Sequence, residues 1–278
     1  MINILLILLS VLTLSACNSM STYNLQVDCT PTELRLQNSE NFWVNISRYG
    51  PASQKNILII PPTGGTNFLD RSYAKNFCVA GYQVFVLKTW DLQTETGNFD
   101  LALHQRFYER SEKAIDLTLN EIKTGSIGLL GTSVGALHSA VAASTKDRIN
   151  AVFIITGGAP LSSIIVNSDQ DAMVNLGVKR KQAFGFKNKN DYLSALAPQI
   201  KLEPMKLGDG FKKKKLGMVV ALEDTTVPSE AQKALQNYWK PTFVIELANG
   251  HFWAIINTWL YHSDEILEFF ESSLNLKR

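Results

Sequence analysis

The chain has little of what several large function classes require. Its 278 residues include 27 Lys and Arg against 25 Asp and Glu. A formal net charge of +2 supplies no basic face for a run of nucleic-acid phosphates. Cysteines number three and histidines four, and none stands at zinc-ligand spacing. No Gly-x-Gly-x-x-Gly follows a strand, so neither a dinucleotide nor any other cofactor is expected. Internal repeats and long low-complexity tracts are absent. What remains is ordinary globular composition, 45% hydrophobic and 19% charged, at a length that suits one large domain.

The N-terminal segment differs from the rest. Ile4 to Leu14 is almost continuously apolar and carries no charge. It is shorter than the about 20 residues of a membrane-spanning helix, but it has the length of a signal-peptide core. It ends in Leu14-Ser15-Ala16-Cys17, which resembles the bacterial lipobox. Small residues at 15 and 16 would let a peptidase approach the backbone, and Cys17 would take the lipid. No Lys or Arg precedes the apolar run, so an ordinary secretory signal with an incidental cysteine is the alternative. The expectation is a signal peptide over 1–16 and a mature chain over 17–278, held at the cell envelope by its acyl chains. Asn18, where inner-membrane lipoproteins usually carry Asp, points to the periplasmic face of the outer membrane. Cys29 and Cys78 then remain in an oxidising compartment, where they can pair. Cys78 also reads as a small buried residue within an apolar helix.

Leu34-Arg35-Leu36 and Phe42 to Ile46 alternate with period two, as half-buried antiparallel strands do. From about residue 56, short apolar runs alternate with helix-length segments. The runs are Ile57–Ile60, Val84–Leu87, Ile127–Leu130, Ala151–Ile155, Leu216–Leu222 and Phe243–Leu247. Helices are expected near 68–80, 101–123, up to 143, 229–238 and 256–274. This pattern predicts a mostly parallel sheet with helices on both faces, its sites gathered at the carboxyl edge of the strands. The alternation breaks between Gly158 and Lys215, read as a cap inserted over the strand ends, with helical patches near 169–182 and 191–197. Its basic clusters, Lys179-Arg180-Lys181 and Lys212 to Lys215, suit either attraction of an anionic group or a solvated loop.

Gly131-Thr132-Ser133-Val134-Gly135 lies between an apolar strand and a small-residue helix. A nucleophile on so sharp a turn needs small residues two before and two after it, and it sits at the positive end of the helix that follows. With this elbow in place, the chain from about Asn56 onward resembles the α/β-hydrolase superfamily, loosely its dienelactone-hydrolase-like and prolyl-oligopeptidase-like members. Three further motifs carry the resemblance in the superfamily's order. Pro61-Pro62-Thr63-Gly64-Gly65-Thr66 stands where members keep an oxyanion loop. Asp224, before Thr225-Thr226-Val227-Pro228, stands where they keep the acid, with Glu223 as the rival. Asn249-Gly250-His251 follows the last strand, where a loop histidine would act as base. The resemblance implies an eight-stranded α/β-hydrolase fold and a Ser133-Asp224-His251 triad. The N–H groups of Val134 and Thr63, or Gly64 in place of Thr63, would form the oxyanion hole. His138 is expected to pack, and His104 and His262 to be solvated or partly buried. The expected activity is cleavage of an ester or related acyl bond through an acyl-enzyme. A peptidase on the same scaffold and a non-catalytic binding lipoprotein are the alternatives.

Overall fold

The computed structural model describes residues 27–92 and 99–275. The expected signal peptide over 1–16 and Cys17 lie outside the described residues. Eight strands form one sheet: β1 (Thr32–Gln37), β2 (Trp43–Tyr49), β3 (Lys55–Ile60), β4 (Gln83–Trp90), β5 (Ser126–Thr132), β6 (Ala151–Ile155), β7 (Lys215–Ala221) and β8 (Phe243–Leu247). Their spatial order is β1-β2-β4-β3-β5-β6-β7-β8. The two alternating segments, β1 and β2, pair antiparallel at one edge, and β4 through β8 run parallel. This is the mostly parallel eight-stranded sheet that the sequence predicts.

The continuous apolar runs follow from burial on both faces. In β3, Leu58 and Ile60 point into a core shared with Ala114 and Ile115 of helix α2 (Leu103–Glu121), Ala136 of α3 (Val134–Thr145) and Leu235 of α7 (Ser229–Trp239). Ile57 and Ile59 point the other way, onto Tyr73 and Phe77 of α1 (Phe68–Val79) and Phe269 and Phe270 of α8 (His251–Leu274). Successive side chains alternate across the strand, so one four-residue run feeds two cores.

Cys29 and Cys78 form a disulfide across 49 positions, tying the start of the described chain to the end of α1. Cys78 is therefore both paired and fully buried.

Between β6 and β7 lie three helices, α4 (Leu161–Asn167), α5 (Asp171–Phe184) and α6 (Lys189–Leu196). The last two match the expected patches; α4 was not foreseen. Leu161, Ile164 and Ile165 of α4 pack with Leu137 and Val141 of α3 and with Tyr192 and Leu196 of α6. The basic triplet is not a solvated loop. It lies on α5, where Arg180 is fully buried and donates to the carbonyls of Phe99 (2.9 Å) and Asp100 (2.6 Å) and to the Tyr192 hydroxyl (2.5 Å). Lys214 is likewise buried, which pushes its ammonium below the usual lysine range.

Candidate active site

Ser133 occupies the turn between β5 and α3 with φ 55° and ψ −120°, a conformation that side chains rarely adopt. The flanking glycines make the turn possible. A Cβ on Gly131 would stand 2.2 Å from Ser139 Oγ, and one on Gly135 would stand 2.0 Å from the carbonyl oxygen of Ile60. Gly135 thus lets the elbow helix press against the end of β3, where Pro61 begins the glycine-bearing loop. The Ser133 N–H donates to Ile155 O at 2.9 Å, fixing the turn to β6.

The Ser133 hydroxyl meets His251 Nε2 at 2.8 Å, and His251 Nδ1 meets Asp224 Oδ2 at 2.6 Å. Three residues separated by 118 and 27 positions are thus brought into one chain of hydrogen bonds. With the ring proton on Nδ1 donating to Asp224, Nε2 is left to accept from the serine. His251 does not stand on a loop, as the sequence reading expected. It is the first residue of α8, which starts five positions before the expected helix. The Gly250 cap, in extended conformation, turns the chain out of β8 so that the ring lies over the strand ends.

Asp224 is nearly inaccessible, 2% exposed, and its carboxylate is fully partnered. Oδ1 accepts from the N–H groups of Thr226 and Val227, both at 2.9 Å. Oδ2 accepts from His251 and from Gln232 Nε2 at 2.8 Å. Four donors thus fix both oxygens of this buried carboxyl in place. The rival Glu223 faces solvent.

Gln232 was missed by sequence reasoning. Wholly buried on α7, it also donates to Val227 O (2.7 Å) and accepts from Ala221 N–H (2.9 Å), so both ends of the acid loop are fixed to it. A glutamine one turn into a helix carries no signal of such a role. Asp169 was missed as well. It accepts from the Thr225 and Thr226 hydroxyls (2.5 and 2.8 Å), which hold its carboxyl below the usual range. The segment between α4 and α5 is thereby latched to the acid loop.

Thr63, Gly64 and Val134 line the same cavity as Ser133. The Gly65 N–H is used within the loop, donating to Pro62 O at 3.2 Å. Among the described residues no protein acceptor takes the N–H of Thr63, Gly64 or Val134, so both loop candidates stay free to donate. The cavity measures about 560 Å³ and runs from Ser133 between Trp90, Phe107, Tyr108, Leu137, Ile164 and Met173. Helices α4 and α5 supply one wall.

His138 packs as expected, against Trp90 and Tyr108, with Nδ1 bonded to Ser111 Oγ at 2.7 Å. Burial lowers its pKa to about 4. His104 is buried rather than solvated; burial first, and Arg180 next, lower its pKa to about 3. His262 is half-buried beside Glu265. Among the described residues no group of three His, Cys, Asp or Glu side chains converges as metal ligands.

No protein-family model matches the chain, and no curated protein matches it by sequence. Solved structures match by fold. An acetyl xylan esterase from Paenibacillus sp. R4 superposes with a TM-score of 0.69 at 13% identity, covering 92% of this chain and 88% of that one. Acetyl xylan esterase 1 from Thermoanaerobacterium sp. JW/SL YS485 gives 0.67 at 14% identity, covering 91% and 86%. The acylaminoacyl peptidase of Pyrococcus horikoshii gives 0.61 at 16% identity, covering 90% of this chain and 43% of that one. At such identities the likeness establishes the fold, which is that of the α/β-hydrolases.

Proposed function

We propose that the chain is a serine hydrolase that cleaves an ester through an acyl-enzyme, with Ser133 as nucleophile, His251 as base and Asp224 as the acid that orients it. The observation that carries this reading is the continuous relay from Asp224 through His251 to Ser133, at 2.6 and 2.8 Å, beside an open cavity. His251 Nε2 accepts the Ser133 proton as the oxygen attacks the acyl carbon. The negative charge gathering on the carbonyl oxygen is met by the N–H of Val134 and by that of Thr63 or Gly64, each donor worth about 3–4 kcal/mol in the transition state. Asp224 stabilises the imidazolium, which then protonates the leaving group. In the second half His251 takes a proton from water as its oxygen attacks the acyl carbon, and returns it to the Ser133 oxygen as the acyl–serine bond breaks and the acid leaves. The apolar cavity wall favours a substrate whose acyl or leaving part is itself apolar.

The experiment is labelling with a fluorophosphonate, followed by peptide mapping and by hydrolysis of p-nitrophenyl esters. One label at Ser133, lost in Ser133→Ala and in His251→Ala, is expected. A label on another serine would falsify the mechanism, and an unlabelled, well-folded protein would support the binding-lipoprotein alternative. The same scaffold's peptidase chemistry is separated by comparing p-nitrophenyl esters with the matching anilides.

The reading extends to organisation and place. Residues 1–16 serve as signal peptide, 17–278 as the mature hydrolase domain with 158–215 as its cap, and Cys17 carries the lipid at the periplasmic face of the outer membrane. Cys17→Ala should release the protein from membranes or leave it unprocessed; unchanged mass and fractionation would remove the anchor from this account.

A further inference from the structure

Large apolar side chains gathered on a surface mark a place that something covers. The first turns of α8, His251 to Ser263, contain no Lys, Arg, Asp or Glu. On their outer side Phe252, Trp253, Leu260 and Tyr261 are 63, 61, 47 and 71% exposed. Spacings of one, eight and nine from Phe252 place them in two adjacent rows of one helix face, with Ile256 and Asn257 between. Helix α1 continues this surface. Its Phe68, 54% exposed, meets the ring of Trp259 edge-on at 5.5 Å. Arg71, Lys75 and Val79 follow Phe68 along α1 at helical spacing, all exposed. The one acid of α1, Asp70, is buried in the cap of its own helix.

We propose that this α1/α8 face, Phe68, Arg71, Lys75, Phe252, Trp253 and Tyr261 foremost, rests on an anionic phospholipid surface. Trp and Tyr side chains favour the boundary between headgroups and acyl chains, and the two cations face the phosphates. No described helix is long and apolar enough to cross a membrane, so the mode is a helix face lying on the surface. The placement rests on the anchor proposed at Cys17, and the chain length allows it. Cys17 stands ten positions before Val27, a span of at most about 35 Å. The described chain then joins α1 through the Cys29–Cys78 disulfide, and α1 with its 12 residues is about 18 Å long. A membrane alongside α1 is therefore within reach of the lipid. Because α8 begins at His251, the docked face starts one residue from the proposed base. The substrate class that follows is an amphiphilic ester held in the bilayer rather than one free in water.

The test uses the full lipidated chain on vesicles of phosphatidylglycerol and phosphatidylcholine with brominated acyl chains. Trp253 is one of five tryptophans, so its emission is read as the difference between wild type and Trp253→Phe. Strong bromine quenching of that difference is expected. Arg71→Glu with Lys75→Glu should reduce the quenched population by at least roughly fivefold, since each cation at an anionic surface contributes about that factor. Unquenched Trp253, or quenching indifferent to the charge reversal, overturns the proposal. So does an emission change that follows protein concentration instead of lipid, which assigns the face to a second copy. A chain that fails to associate with the vesicles at all overturns anchor and placement together. Fluorophosphonate labelling of the same samples reports separately on the hydrolase reading.

Discussion

Gln232 Nε2 lies 2.8 Å from the same Asp224 oxygen that His251 Nδ1 meets at 2.6 Å, so an uncharged side chain helps to aim the carboxylate at the imidazole. Replacing Gln232 by Leu leaves Ala221 N–H, Val227 O and one side of Asp224 Oδ2 without partners. The variant should lose at least about 1–3 kcal/mol of stability, the usual cost for each buried polar group left unsatisfied. A purely structural role would stop there. A positioning role predicts a fall in kcat with KM nearly unchanged, largely restored in Gln232→Asn only if the shorter amide still reaches Asp224. Steady-state kinetics beside thermal unfolding separate the two.

Asp224→Asn should lower kcat by about 10⁴, because the amide can turn an N–H towards His251 and favour the wrong tautomer. It should also destabilise the fold by about 1–3 kcal/mol, since the replaced oxygens face four donors and an amide presents two hydrogens of its own. Glu223→Gln, at an exposed position, should change neither quantity. If Glu223→Gln proves the damaging change, the acid is misassigned.

The residues that the structure brings together here were unequally legible in the sequence. Ser133 stood out because a strained turn admits few residue types around it, and Asp224 because its place before Val227-Pro228 resembles the superfamily's acid position. The structure brings His251 to Ser133 and Asp224, but on a helix that starts five positions before the expected one. Asn249-Gly250 reads as a turn before His251, and helix capping by an extended glycine gives no side-chain signal. Helix α4 was missed for a related reason. Its first N–H is satisfied by Glu203 at 2.7 Å, forty-two positions away, so no local cap announces it. Arg180 was hidden in a charged triplet. On a helix, three successive residues span about 200°, so the middle of a charged triplet can face inward while its neighbours stay exposed.

The two buried histidines predict acid sensitivity. His138 and His104 have folded pKa values lowered to about 4 and about 3, below the ordinary 6.5 of the unfolded chain. The unfolded state therefore binds more protons below about 6.5. Stability contributed by the neutral rings is full above that pH and is lost as pH falls through the folded values. Each ring adds a slope of up to about 1.4 kcal/mol per pH unit in that window. His138→Gln, which can keep the bond to Ser111, should flatten the dependence between pH 6.5 and 4 relative to wild type. Denaturant midpoints across that range are the measurement, and an unchanged slope would remove the neutral-histidine account.

The disulfide closes a loop of 49 positions, for which chain-entropy arguments give about 4 kcal/mol of stabilisation. Cys29→Ser, or reduction under partly denaturing conditions, should lower the unfolding midpoint by a corresponding amount. Because Cys78 is on the far end of α1 from the site, hydrolysis by the protein that remains folded should be little altered. A loss of activity at temperatures well below unfolding would show that α1 is coupled to the oxyanion loop before it.

The elbow itself predicts a separation of stability from activity. Ser133 holds φ at +55°, where a side chain costs about 1–3 kcal/mol and glycine costs almost nothing. Ser133→Ala keeps the Cβ and with it the strain, losing only a hydroxyl bonded to His251. Ser133→Gly removes the strain as well, although it gains freedom in the unfolded chain that offsets part of the benefit. Both variants should be inactive towards p-nitrophenyl esters and unlabelled by fluorophosphonate. In unfolding experiments Ser133→Ala should lie near wild type, and Ser133→Gly should be the more stable of the two by about 1 kcal/mol. The comparison works because the two differ by one methyl group in a turn already packed against Ile155 and Gly135. If Ser133→Gly were instead the less stable, the backbone at residue 133 would not be strained, and the Ser133 hydroxyl would owe its place beside His251 to something other than a turn held out of its preferred geometry.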